Sequence, residues 1–370
     1  MSKILFFTPG GLGGSEVCLY NIIRNMDTSF MDAELVLCGN LSVPKDVQQK
    51  VKVHSLPSIR SRGLEVVDKL ARNVLKFERN EHFITKVSRT FKPDIWYINT
   101  SVLPQVSKLA INNKQRYVVH FHELTSVFDQ MKGKILEQMV QNAALNIACS
   151  KAVLKNLDLL GGKNNKLFYE HIDISAIQTN KSRISEIHKE LNLNQYKYCW
   201  AMAGATSPRK GFDLFIDIAA KKPESCFIWI GKQRDHGFNQ IQLKRIEKEK
   251  INNVYLIEQQ SSDYYNFLDS ANGFILTSRE DPFPLVMIEA AFLQKPIVSF
   301  NSGGVVEFVE QNMGSIIESL DISELVKALL DIEEGNKVID KNRLKSRAEE
   351  FDFQKGIVVW QEILKESFTF

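Results

Sequence analysis

Cysteine is scarce in this 370-residue chain. The five present (Cys18, Cys38, Cys149, Cys199 and Cys226) are odd in number and widely spaced, with no Cys-x-x-Cys pair. That weighs against disulfide and metal readings, and a reducing cytosol fits best. Long apolar runs are missing too. No 18 consecutive apolar residues occur to span a bilayer. The opening MSKILFFTPGG offers only a four-residue apolar run before Thr8 and Pro9, too short for a signal-peptide core. A cytoplasmic protein is the expectation. Nor is there an excess of either charge: 47 Lys plus Arg stand against 44 Asp plus Glu, and the resulting +3 names no partner. No repeat of fixed short period and no low-complexity tract is visible in the sequence.

What is present is an ordinary globular composition, 44% hydrophobic and 25% charged, in a chain long enough for two domains. Short apolar runs alternate with helical patterns: KILFF, AELVLCG, DIWYINT, RYVVHFHEL and LNIACS form one series. A second series runs YCWAMAG, CFIWIG, VYLIE, GFILTS, KPIVSF and GSIIE. This alternation implies crossover connections and mostly parallel sheets, hence two Rossmann-like, doubly wound α/β domains. The polar stretch HIDISAIQTNKSRISEIHKELNLNQYK separates the series, so the boundary is expected near residue 173, with domains 1–172 and 173–353. In such sheets ligands bind beyond the carboxyl ends of strands, and two such domains facing one another would enclose a cleft.

The suggestive residues fall at those ends. GGLGGSE (Gly10–Glu16) joins a strand to a helix, where glycines admit a close ligand and free amides favour an anion. It does not match G-x-G-x-x-G, so a dinucleotide site is disfavoured and a purely structural tight turn stays open. VVHFHEL places His120 and His122 on one strand face. His120 reads as a core residue and His122, near the strand end, as a hydroxyl-binding candidate. In AGATSPRKGFDLF, Arg209 and Lys210 lead into a helix start, against the dipole preference for negative charge there. A bound diphosphate offsets that cost. SREDPFPLVMIEA carries Glu280, Asp281 and Glu289 around a helix expected to begin near Pro284. The amides of Phe283, Leu285 and Val286 are left to meet an anion, since Pro282 and Pro284 have none. Glu289, one turn into the helix, can accept both hydroxyls of a ribose, and Asp281 can reach a sugar ring. Capping by Glu280 and Asp281 is the plainer alternative.

These motifs together (GGLGGSE, KPDIWYINT, SPRKGFDLF, SREDPFPLVMIEA and FNSGGVVEFV, in that order) resemble the retaining GT-B glycosyltransferases of family 4. The likeness spans nearly the whole chain and is densest over residues 200–310. It implies a GT-B fold with an N-terminal acceptor-side domain and a C-terminal nucleotide-sugar domain. The last segment, 354–370, with Ile357, Trp360, Ile363 and Leu364 at helical spacing, would return to the first domain. The family signature is two acids separated by seven residues, met here by Asp281 and Glu289 with aspartate in place of the usual first glutamate. By this resemblance Glu289 binds the nucleotide ribose, Asp281 the donor-sugar hydroxyls and Lys210 the diphosphate. His122 lies near the donor sugar, Gly13 and Gly14 lie under the phosphates, and Phe283, Pro284 and Leu285 line the donor site. Two departures stand out: Ala205 where members often carry arginine, with Arg209 the nearby cation, and His171 where members often carry glycine.

The resemblance therefore implies transfer of a sugar, with retention, from a nucleotide-diphosphate donor (UDP- or GDP-linked) to a saccharide or lipid-linked acceptor. It implies no cofactor and no metal. A nucleotide-sugar epimerase or a catalytically silent GT-B subunit are the alternatives. Residues 56–92 carry nine Lys or Arg against four acids, with apolar residues interleaved. That pattern suits peripheral contact with anionic lipid at the inner face of a membrane, and it lacks the aromatics of an RNA surface.

Overall fold

The computed structural model describes all residues except 1, 30, 57–78, 132, 133, 234–236, 261, 369 and 370. The chain divides into two compact units, Met1–Tyr169 with Gly356–Phe370, and Glu170–Lys355. In the first, β1 (Ser2–Thr8), β2 (Met31–Leu37), β3 (Lys52–Ser55), β4 (Ile95–Ile98), β5 (Tyr117–Phe121), β6 (Leu145–Ala148) and β7 (Asn165–Leu167) form one sheet. Its order is β3-β2-β1-β4-β5-β6-β7, and every pairing is parallel. The central strands Ile95–Ile98 and Tyr117–Phe121 are buried along their whole length, as helices on both faces of a parallel sheet require.

The second unit repeats the design with β8 (Tyr198–Ala203), β9 (Ser225–Ile230), β10 (Val254–Ile257), β11 (Gly273–Leu276), β12 (Ile297–Phe300) and β13 (Gly314–Ile317). The order is β10-β9-β8-β11-β12-β13, again parallel throughout. In each sheet the winding reverses once, between β1 and β4 and between β8 and β11. Such switch points open a crevice at the strand carboxyl ends.

All eleven apolar runs of the sequence are strands. The two it did not signal, β3 (KVHS) and β7 (NKL), are edge strands that are only partly buried. An edge strand needs little apolar surface, so it leaves little pattern.

The last helix, Phe353–Ser367, buries Phe353, Ile357, Trp360, Ile363 and Leu364. The Trp360 indole is wholly buried in the first unit, donates to the Tyr97 hydroxyl at 3.1 Å and stacks near Phe6. Most of the basic 56–92 segment lies outside the described residues. Its described helix, Arg79–Phe91, turns Ile84, Val87 and Phe91 into the core and leaves Lys86 and Arg89 exposed. Among the described residues no helix is long and apolar enough to cross a membrane.

Candidate functional site

At the switch point of the second unit, the loop after β8 is stitched to the loop after β11. The Thr277 hydroxyl donates to the Lys210 carbonyl at 3.0 Å, and the Arg279 amide to the Arg209 carbonyl at 2.8 Å. The Arg279 guanidinium forks onto both oxygens of Asp213 (2.8 and 2.7 Å) and reaches the Pro208 carbonyl at 2.7 Å. Between them Gly211 caps the helix Phe212–Lys221 with φ 69°. A β-carbon there would sit 2.0 Å from the Thr277 carbonyl oxygen, so glycine is required for both space and conformation.

This stitching delivers Lys210 to Asp281. The ammonium lies 2.5 Å from Asp281 Oδ2, the Ser278 hydroxyl donates to the same oxygen at 3.1 Å, and Arg209 Nη1 stands 3.8 Å from Oδ1. Arg209 also donates to the Glu280 carbonyl at 2.8 Å. Asp281 is buried. Burial alone would push its carboxyl up, but Lys210, Arg209 and the Ser278 hydroxyl outweigh it and hold the group below the usual aspartate range. Its backbone is pinned as well, donating to Ser302 O at 2.7 Å and accepting from Gly304 N at 3.1 Å. Asp281 is therefore no helix cap: the helix Leu285–Phe292 has Pro284 at its N-cap and no side-chain cap at all. Phe283 is buried against Phe351 and Phe308, fixing the turn, while Leu285 and Val286 open the helix half-buried. First-turn amides such as theirs have no intrahelical acceptor.

Glu289 is the fifth residue of that helix and belongs to a separate network. Tyr264 donates to its Oε2 at 2.7 Å and Tyr265 to its Oε1 at 3.3 Å. Burial raises the Glu289 carboxyl above its ordinary value, opposed by the two phenols. The tyrosines were not legible in DYYNF, because their partner lies 25 and 24 residues away. A cavity of about 490 Å³ beside β13 contains none of these side chains.

In the first unit, Gly13 caps the helix Gly14–Asn25, and the positive φ falls earlier, on Gly10 (84°) and Gly11 (102°). The helix start is tied to the next loop by Asn99 Nδ2, which donates to the Ser15 carbonyl at 2.8 Å. Glu16 is buried, and burial foremost raises its carboxyl. His122 is half-exposed just past β5, its ring 4.0 Å from that of His120. Glu123 holds this corner by accepting from the His122 amide (3.1 Å), the Ser101 amide and hydroxyl (3.2 and 2.8 Å) and the Thr100 hydroxyl. His120 is wholly buried, with Nδ1 2.9 Å from the Tyr97 hydroxyl, and burial holds it well below the usual histidine range. It is a neutral core residue.

Arg209, Lys210, Asp281, Phe283, Pro284, Leu285 and Glu289 all fall within residues 183–351, which match the family model Glycosyl transferases group 1. That match covers less than half of the chain. Curated relatives align over a similar share. An uncharacterized glycosyltransferase of Haemophilus influenzae is 32% identical over 42% of this chain and 45% of its own. One of Methanocaldococcus jannaschii is 25% identical over 49% and 52% respectively. The chain thus spans about half the length of these curated relatives. Among solved structures, Anabaena HepE in complex with UDP-glucose superposes over 99% of this chain and 100% of its own, with a TM-score of 0.81 at 21% identity. That likeness shows the fold alone: two Rossmann-like parallel-sheet units of the GT-B type.

Proposed function

We propose that this protein is a retaining, metal-independent GT-B glycosyltransferase that moves a sugar from a nucleotide-diphosphate donor to the hydroxyl of a saccharide or lipid-linked acceptor. The observation that carries the reading is the junction after β11. Within nine residues it sets a carboxylate against Lys210 (Nζ 2.5 Å from Asp281) and a second carboxylate, Glu289, one turn into the following helix. A nucleotide sugar presents matching groups in the same sequence: a sugar, a diphosphate and a ribose diol. Anabaena HepE, of the same fold, was solved with UDP and with UDP-glucose, which supports a nucleotide-sugar donor here.

The chemistry follows from charge. When the bond from the anomeric carbon to the diphosphate breaks, the leaving group gains a negative charge. Lys210, Arg209 and the open amides of Leu285 and Val286 stabilise it in place, without reorganisation at the moment of reaction. The departing phosphate oxygen takes the proton of the acceptor hydroxyl, which attacks the oxocarbenium-like carbon from the face the diphosphate leaves, so configuration is kept. Asp281 contacts donor-sugar hydroxyls and holds Lys210, while Glu289 takes the ribose. Gly13, Gly14 and His122 keep the roles the resemblance gives them. Lys86, Arg89 and Lys92 are the described exposed basic residues through which the 56–92 segment would meet an anionic bilayer.

The test is a panel of UDP- and GDP-sugars with saccharide and lipid-linked acceptors, the linkage read by NMR. Retained configuration and loss of transfer in Glu289→Ala are expected. Inversion, or full activity in that variant, overturns the reading. Isomerised sugar from donor alone would point to an epimerase, and no turnover of any donor to a silent subunit.

A further inference from the structure

Glu289 is a half-buried carboxylate that accepts from two tyrosine hydroxyls, which hold it oriented. We infer that Tyr264 and Tyr265 are positioning residues that lock Glu289 for a ribose diol. This rests on the donor-site reading above. The geometry is specific. Two consecutive residues of one helix point about 100° apart, so both reach one carboxylate only if it sits between them. They take one oxygen each, at 2.7 and 3.3 Å, and their rings stand 5.0 Å apart. Each carboxylate oxygen keeps a second lone pair. The two left over are side by side, which suits two adjacent hydroxyls.

The helix that carries the tyrosines, Tyr264–Ser270, is itself braced. Its N-cap Asp263 receives Arg183 Nε at 2.7 Å and Asn266 Nδ2 at 2.8 Å, and Asn266 Oδ1 accepts the Asn180 amide at 2.7 Å. Arg183 also grips Glu190 at 2.7 Å on its own helix. The hydroxyls therefore cannot follow the carboxylate if it turns. Both phenols are pushed up by burial and by Glu289, so they remain donors across the physiological range. Among the described residues, the titratable groups acting on this trio are the tyrosines themselves and, through Tyr265, Asp173.

The experiment is calorimetric binding of UDP, GDP and ADP, each beside its 2′-deoxy counterpart, between pH 5 and 8. Wild type is compared with Tyr264→Phe, Tyr265→Phe and the double variant. Wild type should prefer one ribonucleotide over its deoxy form and lose affinity on the acid side as Glu289 takes a proton. The double variant should bind roughly tenfold more weakly, as expected for lost hydrogen bonds to a charged group. It should also lose the ribose preference and shift the acid midpoint to higher pH, because the bonds that favoured the carboxylate are gone. Tyr255→Phe, which removes a hydroxyl bonded to Tyr196 at 3.2 Å, should leave preference and midpoint in place. A double variant with the wild-type preference and midpoint overturns the inference while leaving the donor site standing. Wild type that binds none of the three nucleotides removes the donor-site reading and this inference with it.

Discussion

In the proposed site Lys210 and Asp281 serve a ligand, and in the structure they already serve the fold. A cation at a helix entrance looked in sequence as though it waited for phosphate. In the structure it is already neutralised by a buried aspartate, 71 residues away. Removing Lys210 therefore does more than empty the proposed phosphate site, since it takes the nearest cation from a buried carboxylate and leaves it Ser278 and the more distant Arg209, at a cost of up to about 3–5 kcal/mol. Lys210→Ala should melt well below wild type at pH 7. The sign of the pH dependence follows from Asp281, whose folded pKa lies below its unfolded value. Its contribution is present above about pH 4 and is lost as the pH falls through the folded value. The gap between Lys210→Ala and wild type should accordingly narrow in acid. Pairing Lys210→Met with Asp281→Leu should restore melting at pH 7 without restoring transfer. Thermal denaturation across pH checks the stability claims, and a deficit that stays constant down to pH 3 would refute the assignment.

Among elements, the strand-to-helix junctions do the positioning, and Gly211 is the tightest of them. Alanine there must adopt φ 69° and push against the Thr277 carbonyl. Gly211→Ala should cost about 1–3 kcal/mol for the left-handed conformation alone. Because Thr277 also holds the Lys210 carbonyl, nucleotide affinity should fall with it. Melting and titration with whichever nucleotide the wild type binds, on the same preparation, test this, and a stability loss without an affinity loss would separate the glycine from the site. The same junctions show what a sequence discloses. Strands buried on both faces, such as Ile95–Ile98, announce themselves by unbroken apolar runs. The edges Lys52–Ser55 and Asn165–Leu167 do not, being partly solvated. Motif positions were readable because each sits at a strand end. Their partnerships were not: Asp281 with Lys210, and Glu289 with Tyr264 and Tyr265, are tertiary contacts between segments that carry no local sign of one another.

At the scale of the molecule, the first unit is built from two separated pieces of chain. Its second piece carries Trp360, buried against Phe6 and bonded to Tyr97. Trp360→Ala should destabilise that unit by about 3–5 kcal/mol. The second unit, which lacks this contact, should keep the nucleotide affinity proposed for it. Hydrogen exchange resolved by unit, with UDP titration alongside, distinguishes this from a general loss of stability. The chain passes between units at residues 169–170 and 355–356. Nearby, Ile172 hydrogen-bonds to both Phe351 and Phe353. That arrangement has a consequence for biogenesis. Domains generally complete in the order of synthesis, the N-terminal one first. Here the chain of the second unit is complete at residue 355, before the first unit has received its closing helix. The part made first is thus the part completed last in chain order, and a released chain truncated after residue 355 should bind nucleotide while its N-terminal sheet remains open to proteases and chaperones.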